Sequence, residues 1–203
     1  MAIWACTRYG RHTTYKWRGR VAEEPILTIA GTEAIDPAAD PDARRKFRDV
    51  LGQFATGVTV MTTITPEGEV VGMTVNSFSS LSLDPPLILW SIAHNASGFK
   101  YFQVGDAFAV NVIAADQEVL ARQLARSAGD KFVGVKLHVG LDGVPLLADC
   151  TAYLECVTEA RYPGGDHEII VGRVRRLFNI GLPPLLFHRG IFHLLGNPSA
   201  GTG

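Results

Sequence analysis

The chain has 203 residues, 47% hydrophobic and 19% charged, with 19 basic side chains against 20 acidic ones and a net charge of −1. A chain this long and apolar can bury a sizeable core, which excludes global disorder, and its balanced charge leaves no basic footprint for nucleic acid. The apolar run at Leu87-Ile88-Leu89-Trp90 is too short for a membrane span, and the three cysteines (Cys6, Cys150, Cys156) form no CxxC, which argues against a zinc ribbon and fits a reducing cytoplasm.

Residues 1–20 hold Arg8, Arg11, Lys16, Arg18 and Arg20 and no acid, and lack the apolar core of a signal peptide. They read as a flexible extension or as a basic arm that touches an anionic partner, and residues 21–40, with Pro25 and Pro37, as a linker. The folded domain is expected over 41–196, followed by a small polar tail over 197–203. Within it, Phe47, Val50, Leu51 and Phe54 recur at i, i+3, i+4 and i+7, which predicts an amphipathic helix over 42–54. The β-branched run 57–64, the turn Pro66-Glu67-Gly68 and the run 70–79 predict a hairpin. Residues 87–93 are continuously apolar and predict a strand buried on both faces.

A short helix is predicted over 97–103, a strand over 107–113, and a helix over 116–126 with Asp116 as its N-cap and Val119, Leu120 and Leu124 on one side. Two long strands, 152–159 and 168–177, flank the turn Tyr162-Pro163-Gly164-Gly165-Asp166, and 191–195 closes the pattern. The strand–helix alternation of a doubly wound sheet is missing. The fold class predicted is mainly β: an antiparallel barrel with two or three peripheral helices.

No GxGxxG, GxxxxGK[ST], GxSxG or HExxH occurs. His188 and His193, an odd number apart on one extended segment, are expected on opposite faces and make a poor metal pair. No metal set is therefore proposed. Four stretches still carry chemistry. Thr74, Asn76, Ser77, Ser79, Ser80 and Ser82 crowd uncharged donors and acceptors into the end of a strand before Pro85-Pro86. They suit a neutral, planar, heteroatom-rich ligand, or simply form an exposed hydroxyl-rich loop. Ser97 and Lys100 at a helix start suit a phosphate, or leave a solvated lysine. The Gly164–Glu168 stretch delivers His167 to the head of a strand, and Arg189 in Phe187-His188-Arg189-Gly190 meets an anion or pairs with a surface acid.

Taken in order, Phe54-Ala55-Thr56-Gly57-Val58-Thr59-Val60, Gly72-Met73-Thr74-Val75-Asn76-Ser77-Phe78, Ser82-Leu83-Asp84-Pro85-Pro86-Leu87, Phe108-Ala109-Val110-Asn111-Val112, Gly165-Asp166-His167 and Phe187-His188-Arg189-Gly190 resemble the flavin reductase family. That resemblance implies an FMN-binding split β-barrel, commonly a homodimer with flavin near the subunit interface. It implies reduction of FMN or FAD by NADH or NADPH and release of reduced flavin to a partner monooxygenase.

Carried over by position, Thr74, Val75, Asn76 and Ser77 would line the isoalloxazine and ribityl groups, with Thr56 and Gly57 close by. Ser91, Ser97 and Lys100 would follow the ribityl-phosphate path, His167 would sit beside the nicotinamide, and Phe187 and Arg189 would close the pocket. The family often has a tyrosine where Phe187 or His188 stands, so a hydroxyl contact is lost. Three alternatives stay open: a non-catalytic flavin-storage protein, a flavin-bound reductase of ferric iron or a corrinoid, and a pyridoxamine-phosphate-oxidase-like enzyme. Arg161, Arg173 and Arg175 stay open as partners for the 2′-phosphate of NADPH.

Overall fold

A computed structural model describes residues 35–38, 42–127 and 129–196. The expected basic extension at 1–20 and the tail at 197–203 lie outside the described residues. The chain divides into two units, Met1–Arg44 and Arg45–Gly203. In the first, the Asp36 carboxylate accepts a hydrogen bond from the Ala38 N–H at 2.9 Å.

In chain order the elements are α1 (Ala43–Leu51), β1 (Thr56–Gly57), β2 (Thr59–Ile64), β3 (Val70–Val75), β4 (Ser79–Leu83), β5 (Pro86–Ala93), β6 (Ala107–Val112), α2 (Glu118–Leu124), β7 (Leu137–Val139), β8 (Pro145–Leu147), β9 (Ala152–Gly164), β10 (His167–Asn179), β11 (Leu185–His188) and β12 (Ile191–Leu194). A seven-stranded sheet runs β3-β2-β6-β9-β10-β5-β4, beside a three-stranded sheet β1-β11-β12 and the hairpin β7-β8. The ladders are antiparallel. The mainly β class with peripheral helices is the one the sequence predicts.

The core has two clusters. One gathers Val58, Val60, Ala109, Ile113, Leu124, Leu147 and Leu185. The other centres on Trp90, Phe102 and Phe108, with the Trp90 and Phe102 rings edge-on at 4.9 Å. Buried Asn111 donates to the Val60 carbonyl (2.9 Å) and accepts from the Leu147 N–H (2.8 Å), so one side chain ties β2, β6 and β8 together. Gly172 is required because a Cβ there would lie 2.6 Å from the Phe108 ring.

Several expectations need correction. The first helix ends at Leu51, and the next residues tighten into short-range bonds, Gln53 N–H to Val50 and Phe54 N–H to Leu51. Its apolar stripe has the right period, but Phe47, Val50, Leu51 and Phe54 are 50–78% exposed. The strand predicted over 70–79 breaks at Asn76, and Ser79–Leu83 forms a separate outer strand paired to β5. β5 is not buried on both faces: Ile88, Trp90 and Ile92 point into the core and the intervening residues are only partly covered. The short helix at 97–103 shrinks to one 3-10 turn, Phe99–Tyr101, and the Gln103 N–H that would continue it bonds instead to the Asp106 carboxylate at 2.7 Å.

The second helix is capped at Gln117 and not at Asp116, and Val119 faces outward. Tyr162-Pro163-Gly164 continue β9, leaving Gly165-Asp166 as the turn, with Gly165 at φ +74°. β4, β7, β8 and β11 are strands that the sequence pattern does not mark. The last of these turns back at Arg189-Gly190, so His188 and His193 fall on the same face of a hairpin, their rings 5.8 Å apart.

Candidate active site

The break between β3 and β4 makes the site. β3 runs along one border of the seven-stranded sheet, so alternate residues turn backbone N–H and C=O groups away from β2. Where it ends, the chain crosses to β5 and is latched there. The Ser77 hydroxyl accepts from the Ser91 N–H (3.0 Å) and donates to the Ser91 carbonyl (3.1 Å). Thr74 holds the other wall, its hydroxyl donating to the Ala121 carbonyl of α2 at 2.7 Å.

Between these walls lies a cleft of about 500 Å³. Thr74, Val75, Asn76, Ser77, Ser91, Ser97 and His167, all candidates from sequence, line it together. The register explains the last of them: β10 pairs with β5 so that His167 stands opposite Ala93. The His167 ring is half-exposed, and its Nδ1 lies 2.7 Å from the Asp166 carboxylate. That contact anchors the ring at the edge of the cleft. Behind it, Glu168 accepts from Arg161 at 2.5 Å, and the Arg161 guanidinium stacks 4.6 Å from the Phe99 ring, which braces the 3-10 turn.

The sequence reading missed the cations. Arg126 and Lys131 line the same cleft, with Ser127 and Asn95. Among the described residues no carboxylate lines it, and the side chains of Asn76, Ser97, Arg126, Ser127 and Lys131 make no hydrogen bond. Burial holds the Lys131 ammonium below the usual lysine range. The signal was the basic pair bracketing the loop after α2. Cations after a helix C-terminus usually answer the helix dipole, so residue type alone does not mark them as ligand-binding.

The remaining candidates lie elsewhere. Thr56 and Gly57 pair with Phe187 and Leu186 in the small sheet, and Phe187 packs on Phe192. Arg189 forms the next turn at φ +50°, its N–H bonded to the Gly52 carbonyl at 2.9 Å. Lys100 Nζ lies 4.7 Å from the Tyr101 ring, beyond the residues that line the cleft. Of the arginines weighed for a 2′-phosphate, Arg161 and Arg173 are paired to Glu168 and Glu159, and none of the three lines the cleft.

An acid-free cleft with an unpaired amide, outward backbone groups and two cations fits a planar heteroaromatic ring carrying a phosphate. Residues 51–196 match the family described as flavin reductase like domain. The chain is 46% identical over 148 residues to FMN reductase (NADH) SmoA of Agrobacterium fabrum, covering 73% of this chain and 84% of that one. It is 40% identical over 159 residues to the reductase subunit HsaB of a flavin-dependent monooxygenase of Rhodococcus jostii, covering 78% and 77%. It spans about half (49%) of a probable flavin reductase of Rhizobium meliloti, at 40% identity. Among solved structures it resembles the Streptomyces globisporus NADH:FAD oxidoreductase SgcE6 in complex with NAD and FAD fragments, at TM-score 0.74 and 38% identity over 84% of this chain and 100% of that one.

Proposed function

The chain belongs to the flavin reductase-like domain family, a split-barrel NAD(P)H:flavin oxidoreductase, and from that premise we propose how its own residues do the work. When bound, the flavin accepts two electrons and the nicotinamide donates them, so the protein needs no nucleophile or acid–base dyad of its own. Its part is to bind, orient and stabilise charge.

Outward backbone N–H groups around Thr74, Val75, Asn76 and Ser77, with the free Asn76 amide, would hold the edge of the flavin ring and stabilise negative charge gained there. Ser91 and Ser97 would follow the ribityl chain. Arg126, Ser127 and Lys131 would hold the phosphate, where two cations in a partly desolvated cleft are worth more than surface charges. His167, held by Asp166, would position the nicotinamide and transfer no proton. NADH is proposed as the donor, because none of the three arginines open for a 2′-phosphate lines the cleft, and Arg161 and Arg173 are bound to Glu168 and Glu159.

A homodimer is part of the same reading. The exposed stripe Phe47, Val50, Leu51 and Phe54 offers an apolar face that a second copy would cover, and Ile191 and Leu194 of β12 are exposed as well. In such a pair, Thr56, Gly57, Phe187 and Arg189 of one copy would reach the cleft of the other. Reduced flavin would pass to a separate monooxygenase, as the reductase subunits among its relatives suggest. A cytoplasmic setting accords with Cys150 and Cys156, both free and buried. Among the described residues no helix is long and apolar enough to cross a membrane.

The observation that carries the reading is the meeting of 74–77, Ser91, Ser97 and His167 with two cations in one acid-free cleft. The test is NADH oxidation by the purified chain with FMN, FAD or riboflavin supplied. Turnover that depends on added flavin is expected, and a rate no higher than the protein-free blank would refute the reading.

A further inference from the structure

Arg161 and Glu168 lie diagonally across the β9–β10 ladder, since Arg161 stands opposite Ile170 and Glu168 opposite Pro163. Both are on the face of Ile170, which belongs to the Trp90 core cluster, whereas His167 turns to the other face and into the cleft. We propose that Arg161 is a positioning residue for the nicotinamide step. Without touching either ligand, it fixes His167 and Ser97 relative to each other from behind the cleft wall. The inference rests on the flavin-reductase reading of the cleft and goes beyond it, because it assigns a task to a residue outside the cleft.

Three contacts support it. Arg161 Nε donates to the Glu168 carboxylate at 2.5 Å, which pins the residue after His167 at the turn end of the hairpin, one rung from its last pair. Arg161 Nη1 donates to the Phe102 carbonyl at 3.1 Å, and the guanidinium stacks 4.6 Å from the Phe99 ring. The same side chain thus holds both ends of the 3-10 turn that follows Ser97. Its planar fork serves these partners at once, as a lysine could not. The Arg161 side chain is only 10% exposed, against 39% for Arg173 and 43% for Arg176, so these partners and not water satisfy it. His94 adds a strap in the same place: its N–H donates to the Asp166 carbonyl at 3.1 Å, and its ring meets Phe99 edge-on at 5.4 Å. Loss of Arg161 would loosen the His167 strand head and the Ser97 turn together and leave the Ser77–Ser91 latch intact.

The test is a double-mutant cycle with His167→Ala. Arg161→Met removes charge and fork, and Arg161→Lys keeps the charge opposite Glu168 without the fork. Steady-state kinetics at saturating FMN, well below each variant's Tm, read the KM for NADH and kcat. Arg161→Met is expected to raise the KM about fivefold or more and to lower kcat, the pattern of His167→Ala, with Arg161→Lys recovering part of the loss. In the His167→Ala background, Arg161→Met should change the KM by less than about twofold, because its effect passes through a ring that is gone. Where Arg161→Met does not fold, Glu168→Gln takes its place in the cycle, since it weakens the pair and keeps the Arg161 contacts to Phe99 and Phe102.

A purely structural role would lower the Tm and leave the kinetics of the folded variants at the parent's values, and that result would overturn the proposal. So would effects of Arg161→Met and His167→Ala that multiply, since independent residues add in free energy. Either outcome leaves the flavin-reductase reading standing. Absence of flavin-dependent NADH oxidation in the parent protein would instead overturn that reading.

Discussion

The Ser77 hydroxyl holds both backbone groups of Ser91, accepting from its N–H at 3.0 Å and donating to its carbonyl at 3.1 Å. One side chain thus replaces a missing rung of the sheet where β3 has ended and β4 has not begun. The neighbouring Asn76 amide, with no such duty, is left to the cleft.

That division of labour predicts different outcomes for adjacent residues. Ser77→Ala should cost about 1 kcal/mol of stability, roughly 2–4 °C in Tm for a chain of this size, and should also weaken flavin binding. Asn76→Ala should weaken flavin binding with Tm unchanged. Thermal unfolding paired with flavin titration reads both, and a stability loss in Asn76→Ala alone would reverse the assignment.

His167 is assigned to nicotinamide positioning through its bond to Asp166. His167→Ala should raise the KM for NADH and lower kcat, with the FMN Kd unchanged. Asp166→Asn should give a weaker version of the same pattern, since the ring stays but its anchor loses charge. Steady-state kinetics indistinguishable from the parent would remove His167 from the mechanism.

Lys131 separates phosphate binding from ring binding. Lys131→Met should raise the Kd for FMN about tenfold and leave riboflavin within about twofold, because riboflavin has no phosphate to lose. Equal weakening of both ligands would place Lys131 against the ring.

The exposed stripe of α1 tests the dimer. The parent chain should have the mass of two copies by light scattering. Phe47→Glu with Val50→Glu puts two charges on the covered face and should give a folded single copy, with far-ultraviolet circular dichroism preserved. A mass unchanged from the parent dimer would move the interface elsewhere.

Local chemistry was legible wherever it depends on neighbours in the chain. The β2–β3 hairpin is marked by Pro66-Glu67-Gly68, and Gly68 adopts φ +86° in that turn. The segment 74–77 and His167 were recognisable as site material from residue type and motif order. Ser79–Leu83 reads as loop because serine is a poor strand former, yet β5 offers it a ladder of backbone partners. Counting along one strand puts His188 and His193 on opposite faces, but the chain turns back between them.

By itself, then, the amino-acid order determined the antiparallel β class, the helix period of 47–54 and the uncharged character of the segment that meets the ligand. These follow from side-chain size, branching and spacing within a few residues. Only the tertiary structure decided that Arg126 and Lys131 close the same cleft as Asn76, that Thr56, Gly57, Phe187 and Arg189 form a separate group, and that the apolar face of α1 has no cover among the described residues. Periodicity declares that a face is apolar, but which surface covers it depends on contacts between residues far apart in the chain.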